Sequence, residues 1–358
     1  MELTLIILGF VFSLFSFLPY LKVPWWWVRV LDFPRLHVAV LLAAILLFYS
    51  VRYATWSLPQ MAMMGLWLAA ILNEVWFIYS FTPMARIEAL RSEKAKPASA
   101  FTMMIANVRM VNKKYREFTN LVLREDPDIL VMNEPDEAWH QNVRHVLDER
   151  YPYSIKKPLD NTYGMMLYSR LKLTESEINF LVEDDIPSFH TLVELPGGKK
   201  IELYTLHPQP PRLLKDTETR EAELLLVAKM VKKSKQPSIV AGDLNDVAWS
   251  RTTKLFRQIS GLLDPRVGRG FYNTYNAHIP LFRYPLDHVF YDPAFRLLDL
   301  RRLDKFGSDH FPISISLNYE PEREDKQDIP VAEPEDHKEA NELIQEGLEK
   351  GEERNNKK

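Results

Sequence analysis

Residues 238–246 read SIVAGDLND. Ser238 to Ala241 has the β-branched, apolar character of a short buried strand, and Gly242 ends it. The glycine lets the backbone turn, and in an extended stretch the alternate residues Asp243 and Asn245 point the same way. A carboxylate where a buried strand emerges is costly unless it meets a cation or a hydrogen-bond donor. This stretch therefore marks one wall of a polar site at a sheet edge.

The pattern recurs along the chain. Strand-like runs at Phe101–Val108 and Ile129–Met132 lead into Asn107 and into Glu134 of VMNEPD, and Lys200–Leu206 leads into His207 of TLHPQPP. Asp287 lies in LDHVF on the run Leu286–Tyr291, and Ser308-Asp309-His310 precedes the run Pro312–Leu317 in GSDHFPI. Tyr163–Ser169 and Phe189–Leu195 read as further strands, with Gly197-Gly198 a hairpin turn between the latter and Lys200–Leu206. Lys113–Arg124 and Asp216–Lys233 read as helices. So many strands between few helices predict an α/β layered sandwich rather than one parallel sheet. Strand ends of this kind can converge on one pocket, and hard oxygen ligands suit Mg²⁺ or Mn²⁺, not zinc.

Outside this region the chain changes character. Leu3–Leu21 is a near-continuous apolar run, followed by His37–Val51 and Met61–Tyr79, and Trp25-Trp26-Trp27 suits a headgroup-level belt. A cleaved signal peptide fits poorly, because Glu2 stands where a basic n-region belongs and two more apolar runs follow. Residues 1–83 are expected to be a membrane region of about three spanning helices. Residues 84–100 read as a linker, 101–319 as the soluble domain, and 320–358 as a charged, disordered tail. Lys22, Arg29, Arg35, Arg86, Arg91, Lys94 and Lys96 fall on one side of such a membrane, which places the soluble domain in the cytoplasm. A different helix count would reverse that side. Glu74, inside the third run, reads first as a hydrogen-bonded packing residue and second as a functional group at depth.

Composition narrows the chemistry. The 358 residues contain no cysteine, which excludes disulfides, thiolate metal sites and a cysteine nucleophile. A net charge of -3, without a basic stripe interleaved with aromatics, argues against a nucleic-acid-coating protein. Asp136 and Asp246 read as turn residues, His288 should point away from Asp287 along a strand, and His190 and His278 have no assigned role. Phe271, Tyr272, Tyr275 and Phe282, before LDHVF, either line a groove or pack their loop, and packing is the simpler reading.

The ordered set N-V, N-E, L-H-P, G-D-L-N, L-D-H-V-F and G-S-D-H-F-P-I resembles the endonuclease/exonuclease/phosphatase superfamily over residues 101–318. It is most similar to the membrane-anchored bacterial branch of VanJ-like proteins, whose wording DIPS, LHPQPP and REAELLLV also shares. The resemblance implies a four-layer α/β/β/α sandwich and a Mg²⁺- or Mn²⁺-dependent hydrolase of the bacterial inner membrane. It implies Glu134 as the principal metal-binding carboxylate, Asn107 as support for metal and scissile phosphate, and Asp309 as a second metal-side carboxylate. It implies that Asp243 orients or deprotonates the attacking water, with Asn245 as its partner in holding water and phosphate. His310 would contact phosphate, Asp287 would orient His310, and His207 would stabilise phosphate or leaving group. Arg109, where some members have Asp, would be a substrate-phosphate contact or a surface residue, and Asn133 replaces a common Gln.

The expected activity is hydrolysis of a phosphoester or pyrophosphate by metal-assisted water attack, with a lipid-linked phosphate the favoured substrate. A membrane-tethered nuclease and a non-catalytic membrane scaffold are the alternatives. Nothing in the sequence calls for an obligate protein partner.

Overall fold

In the strand Ala100–Asn107 (β1), Met103 and Ile105 face one core while Met104 and Ala106 face another. Strict alternation with apolar residues on both faces is the mark of a strand covered on both sides. The computed structural model describes residues 1–211 and 215–357, which form two units, one comprising 1–86 and 211–217 and the other the remainder.

The first unit is helical: α1 (Glu2–Phe17), the short α2 (Trp26–Arg29), α3 (Arg35–Arg52) and α4 (Leu58–Tyr79). Three of its helical segments are long and apolar enough to cross a membrane, at 19, 18 and 22 residues. Gly9 lets α1 approach α4, since a Cβ there would sit 2.3 Å from the Trp67 ring. Glu74 is buried and pairs with Arg35 at 3.1 Å, so the packing reading describes it.

The second unit continues with α5 (Tyr115–Glu125), β2 (Ile129–Asn133), α6 (Glu137–Arg150), β3 (Tyr153–Lys157), β4 (Met165–Ser169), β5 (Lys172–Asn179), β6 (Ser188–Glu194) and β7 (Lys200–Leu206). Then follow α7 (Glu218–Lys233), β8 (Ser238–Asp243), α8 (Arg251–Ser260), β9 (Asp287–Tyr291), β10 (Phe295–Arg302), β11 (Ile313–Tyr319) and α9 (Pro334–Asn355). Among the described residues the strands form a six-stranded sheet, β10-β11-β1-β2-β4-β3, and a five-stranded sheet, β5-β6-β7-β8-β9. Their inner faces share one core, including Ile105, Val131 and Ile315 from the first and Leu203, Ile239 and Val289 from the second. Phe118, Trp139 and Val143 of α5 and α6 cover the outside of one sheet, and α7, α8 and α9 cover the other. This is the expected four-layer α/β/β/α sandwich. Each sheet holds one parallel pair, β1–β2 and β7–β8, and both pairs end toward the same edge.

Two boundaries differ from expectation. Residues 87–99 belong to the second unit: Leu297 N–H donates to Leu90 C=O (3.0 Å) and Ala89 is fully buried. The tail is not disordered throughout. Helix α9 starts at a Glu333/Asp336 capping box and buries Ala340, Leu343, Ile344, Gly347 and Gly351 along one face. Its few apolar side chains suffice because glycines bring the backbones together; a Cβ on Gly347 would lie 2.3 Å from Ala222 Cβ. A face built from glycine escapes a reading that counts large apolar groups.

Candidate active site

The site is built where the two parallel pairs end. Asn107 closes β1 opposite Asn133 of β2, Glu134 follows at once, and Asp243 closes β8 opposite Asp287 of β9. Gly242 approaches Leu206 so closely that a Cβ would stand 2.0 Å from its carbonyl oxygen, and its φ of 147° suits only glycine. Glu134 and Asn245 adopt left-handed φ values of 63° and 52°, an uncommon conformation that aims both side chains out of their strands.

Asp243 is the hub, and it is buried. Asn107 Nδ2 donates to Glu134 Oε1 (2.8 Å) and to Asp243 Oδ2 (2.9 Å), linking the two sheets. Asn245 N–H donates to Asp243 Oδ1 (3.1 Å), while its side chain donates to Pro208 C=O (2.9 Å) and braces the His207 loop. His207 Nδ1 donates to the Asp243 carbonyl (3.1 Å), because a carbonyl can only accept. That leaves His207 Nε2 directed at Glu134 Oε1, 3.8 Å away. On the other flank His310 Nδ1 donates to Asp287 Oδ2 (2.8 Å) and its Nε2 lies 3.6 Å from Asp243 Oδ2.

Burial disfavours charge on His310, but Asp287 and Asp243 outweigh it and raise its pKa to about 10, so the imidazolium is held. Burial also pushes the Asp243 carboxyl above the usual carboxylate range; Asp287 adds to this and the two histidines oppose it. The result is a carboxylate with raised proton affinity beside a fixed cation.

Ligand atoms of Glu134, His207 and Asp243 lie within 4.8 Å of one another, as do those of Asp243, Asp287 and His310. Glu134 is half-buried at the first cluster's mouth, and Asp287 Oδ1 is a buried oxygen without a hydrogen-bond partner. The first cluster, with two carboxylates and a histidine, fits a divalent cation; in the second the imidazolium of His310 has no lone pair to offer. Asp309 falls in neither cluster; its carboxylate faces Arg109 Nε at 3.5 Å. Asn107 Oδ1 accepts from the Arg109 amide (2.9 Å), so Asn107 serves here as a donor between carboxylates and not as an oxygen ligand. Arg109 is 42% exposed at the rim, consistent with either expected role.

Other expectations are settled locally. Asp136 caps α6 through the Trp139 amide (2.7 Å), and Asp246 accepts from Ser250 Oγ (2.7 Å). His288 points away, donating from Nε2 to Asp246 C=O (2.8 Å) and accepting from Arg266 at Nδ1 (2.7 Å). Four supporting residues were not legible as such. Asn133 Oδ1 accepts the Asp243 amide (3.3 Å), and Ser308 Oγ donates to Asn107 C=O (2.8 Å) and accepts from His310 N–H (3.0 Å). Arg220 donates to Asn245 C=O (2.8 Å), and Tyr275 lays its ring 5.0 Å from that of His310. Arg220 opens REAELLLV but, as a basic residue on a helix, reads as part of a solvated face; Ser308 lies inside GSDHFPI and Tyr275 in the aromatic segment.

Comparison with known proteins agrees with this fold. No curated protein matches the chain in sequence. Among solved structures, human Nocturnin's catalytic domain is 18% identical over 66% of this chain and 97% of its own, with a TM-score of 0.51. D. rerio TDP2 in complex with a single-strand DNA product is 18% identical over 62% and 99%, at 0.51. An endonuclease/exonuclease/phosphatase from Beutenbergia cavernae is 17% identical over 62% and 72%, at 0.50. These likenesses show the fold. Residues 104–310 match the model of the endonuclease/exonuclease/phosphatase family, whose members are nucleases, phosphodiesterases and phosphatases, and the chain belongs to that family.

Proposed function

We propose that this chain is a membrane-anchored, Mg²⁺-dependent phosphohydrolase that cleaves a phosphoester or pyrophosphate bond by water attack. The observation that carries the reading is Asp243, buried between the Asn107–Glu134 link and the Asp287–His310 pair. A phosphate ester is anionic, so attack by water is slow until charge is neutralised and a proton acceptor is in place. Asp243 takes the proton of the attacking water at Oδ2, the oxygen that faces Asn107 and His310. His310, held cationic by Asp287, donates from Nε2 to a phosphoryl oxygen. His207, anchored through Nδ1, presents Nε2 to the phosphate or leaving group. Glu134 with Asp243 would hold the divalent ion, which supplies Lewis-acid polarisation and charge neutralisation when bound. Asp309 would join through the rim if Arg109 turns to substrate phosphate.

The three apolar helices favour a lipid-linked substrate, and the similarity to VanJ-like proteins points to a polyprenyl pyrophosphate met at the inner face of the cytoplasmic membrane. A tethered nuclease is the second reading; D. rerio TDP2, of the same fold, is solved with single-strand DNA. The full chain in detergent, with Mg²⁺ or EDTA, should hydrolyse a polyprenyl pyrophosphate and leave single- and double-stranded DNA intact. Cleavage of DNA alone overturns the substrate, and activity that survives Asp243→Asn overturns the site.

A further inference from the structure

The segment from Asn273 to Tyr284 leaves the catalytic edge and returns to it. Its neck is fastened there: Ala277 N–H donates to Asp309 C=O (2.7 Å), Phe311 N–H to Thr274 C=O (2.8 Å), and Tyr275 packs on His310. Its tip carries apolar side chains into solvent, with Ile279 47%, Leu281 65% and Phe282 49% exposed. At its base two guanidinium groups flank Phe311, the residue after His310, with Arg283 Cζ 4.9 Å and Arg302 Cζ 4.3 Å from the ring centroid. Arg283 Nε donates to Asn276 C=O (3.3 Å) and Arg302 Nη1 to Asn273 C=O (3.0 Å). Among the described residues neither makes an ion pair with a carboxylate. Burial, and then the charge of Arg283, push the Arg302 guanidinium below its ordinary value. Two like charges held together without a counter-ion are relieved by an anion.

An apolar tip with a cationic collar matches the layering of a lipid interface, apolar beneath and anionic at the headgroups. We propose that this loop, with Arg283 and Arg302 at its base, docks on an anionic lipid surface beside the catalytic edge. The partner is then the phosphate-bearing headgroup layer itself, and the substrates within reach are lipids. The proposal requires membrane anchoring and stands apart from any hydrolytic activity.

Because the chain lacks cysteine, a single Ile279→Cys substitution carries an environment-sensitive fluorophore to the tip without background labelling. The labelled full chain would be placed in nanodiscs of phosphatidylcholine alone or with phosphatidylglycerol, with doxyl lipids as quencher. The expected result is blue-shifted, quenched emission in the anionic discs. Adding Arg283→Gln and Arg302→Gln should lower the docked-to-undocked ratio roughly thirtyfold. A label on Glu175→Cys, on the exposed strand β5, should stay unquenched. A tip label that is water-exposed in both discs, or quenching equal at 175, or insensitive to the arginine pair, overturns the proposal. A chain that fails to enter the discs overturns the anchoring, and the docking with it.

Discussion

His310 and His288 are both buried and both lean on the strand β9, yet their surroundings give them opposite charge states. His310 faces two carboxylates, Asp287 and Asp243, and is held as a cation. His288, the neighbour of Asp287, meets Arg266 and a backbone carbonyl; burial, then the guanidinium, lower its pKa to about 3. Depth alone therefore decides nothing. What decides is whether the ring faces the carboxylates at the strand ends or the closed network of Asp264, Arg266 and Asp246 behind them. One environment holds a cation beside Asp243 and the other uses a neutral ring to hold the loop after Asp243 in place.

Three substitutions sharpen that contrast. The largest effect belongs to the charged side: His310→Ala should reduce hydrolysis by the folded fraction about 10²–10⁴-fold, and should also lower thermal stability because Asp287 loses its buried partner. A variant as active as the parent would break the assignment of His310. The neutral side should respond in the opposite sense. His288→Leu orphans the Asp246 carbonyl and one Arg266 donor, costing about 1–3 kcal/mol in a denaturant titration. Its folded fraction should keep the parent's rate, and a loss of rate without loss of stability would make His288 part of the machinery. The same histidine sets a pH dependence. Its folded pKa lies below the ordinary 6.5, so the unfolded chain binds the extra proton, and the parent's stability falls as pH drops from about 6.5 toward 3. His288→Leu should flatten that slope. The smallest effect lies at the tail, where Arg354 donates to Glu183 (2.9 Å) and Gln209 (2.9 Å), two residues beyond His207. Arg354→Ala should cost about 1–2 kcal/mol, read by the same titration.

Much of this was legible before any coordinates. Asp243, Glu134, Asp287 and His310 announce themselves because a polar group at the mouth of a buried strand has few cheap explanations, and two sheets ending at one edge bring them together. The strand runs were visible through their apolar alternation. What escaped was carried by residues whose partners are remote in sequence. Arg220 reaches Asn245 across a helix–loop contact, and Asn133 meets the Asp243 amide between sheets. Strand β10, FRLLDLRR, was hidden by its charges, since one edge of it faces water. The packing of helix α9 on the domain was hidden by glycines that replace bulk with proximity. How Asn107 takes part was not legible, because sequence does not say which end of an amide points inward.

The central claim is that Glu134 and Asp243 form the floor of a divalent-cation site that serves hydrolysis. Mn²⁺ titration of the full chain in detergent, followed by loss of the free-ion electron paramagnetic resonance signal, tests it without reference to substrate. The account predicts saturable binding that Glu134→Gln weakens by at least about tenfold. Binding unchanged in Glu134→Gln, or no saturable binding by the folded parent, would contradict it.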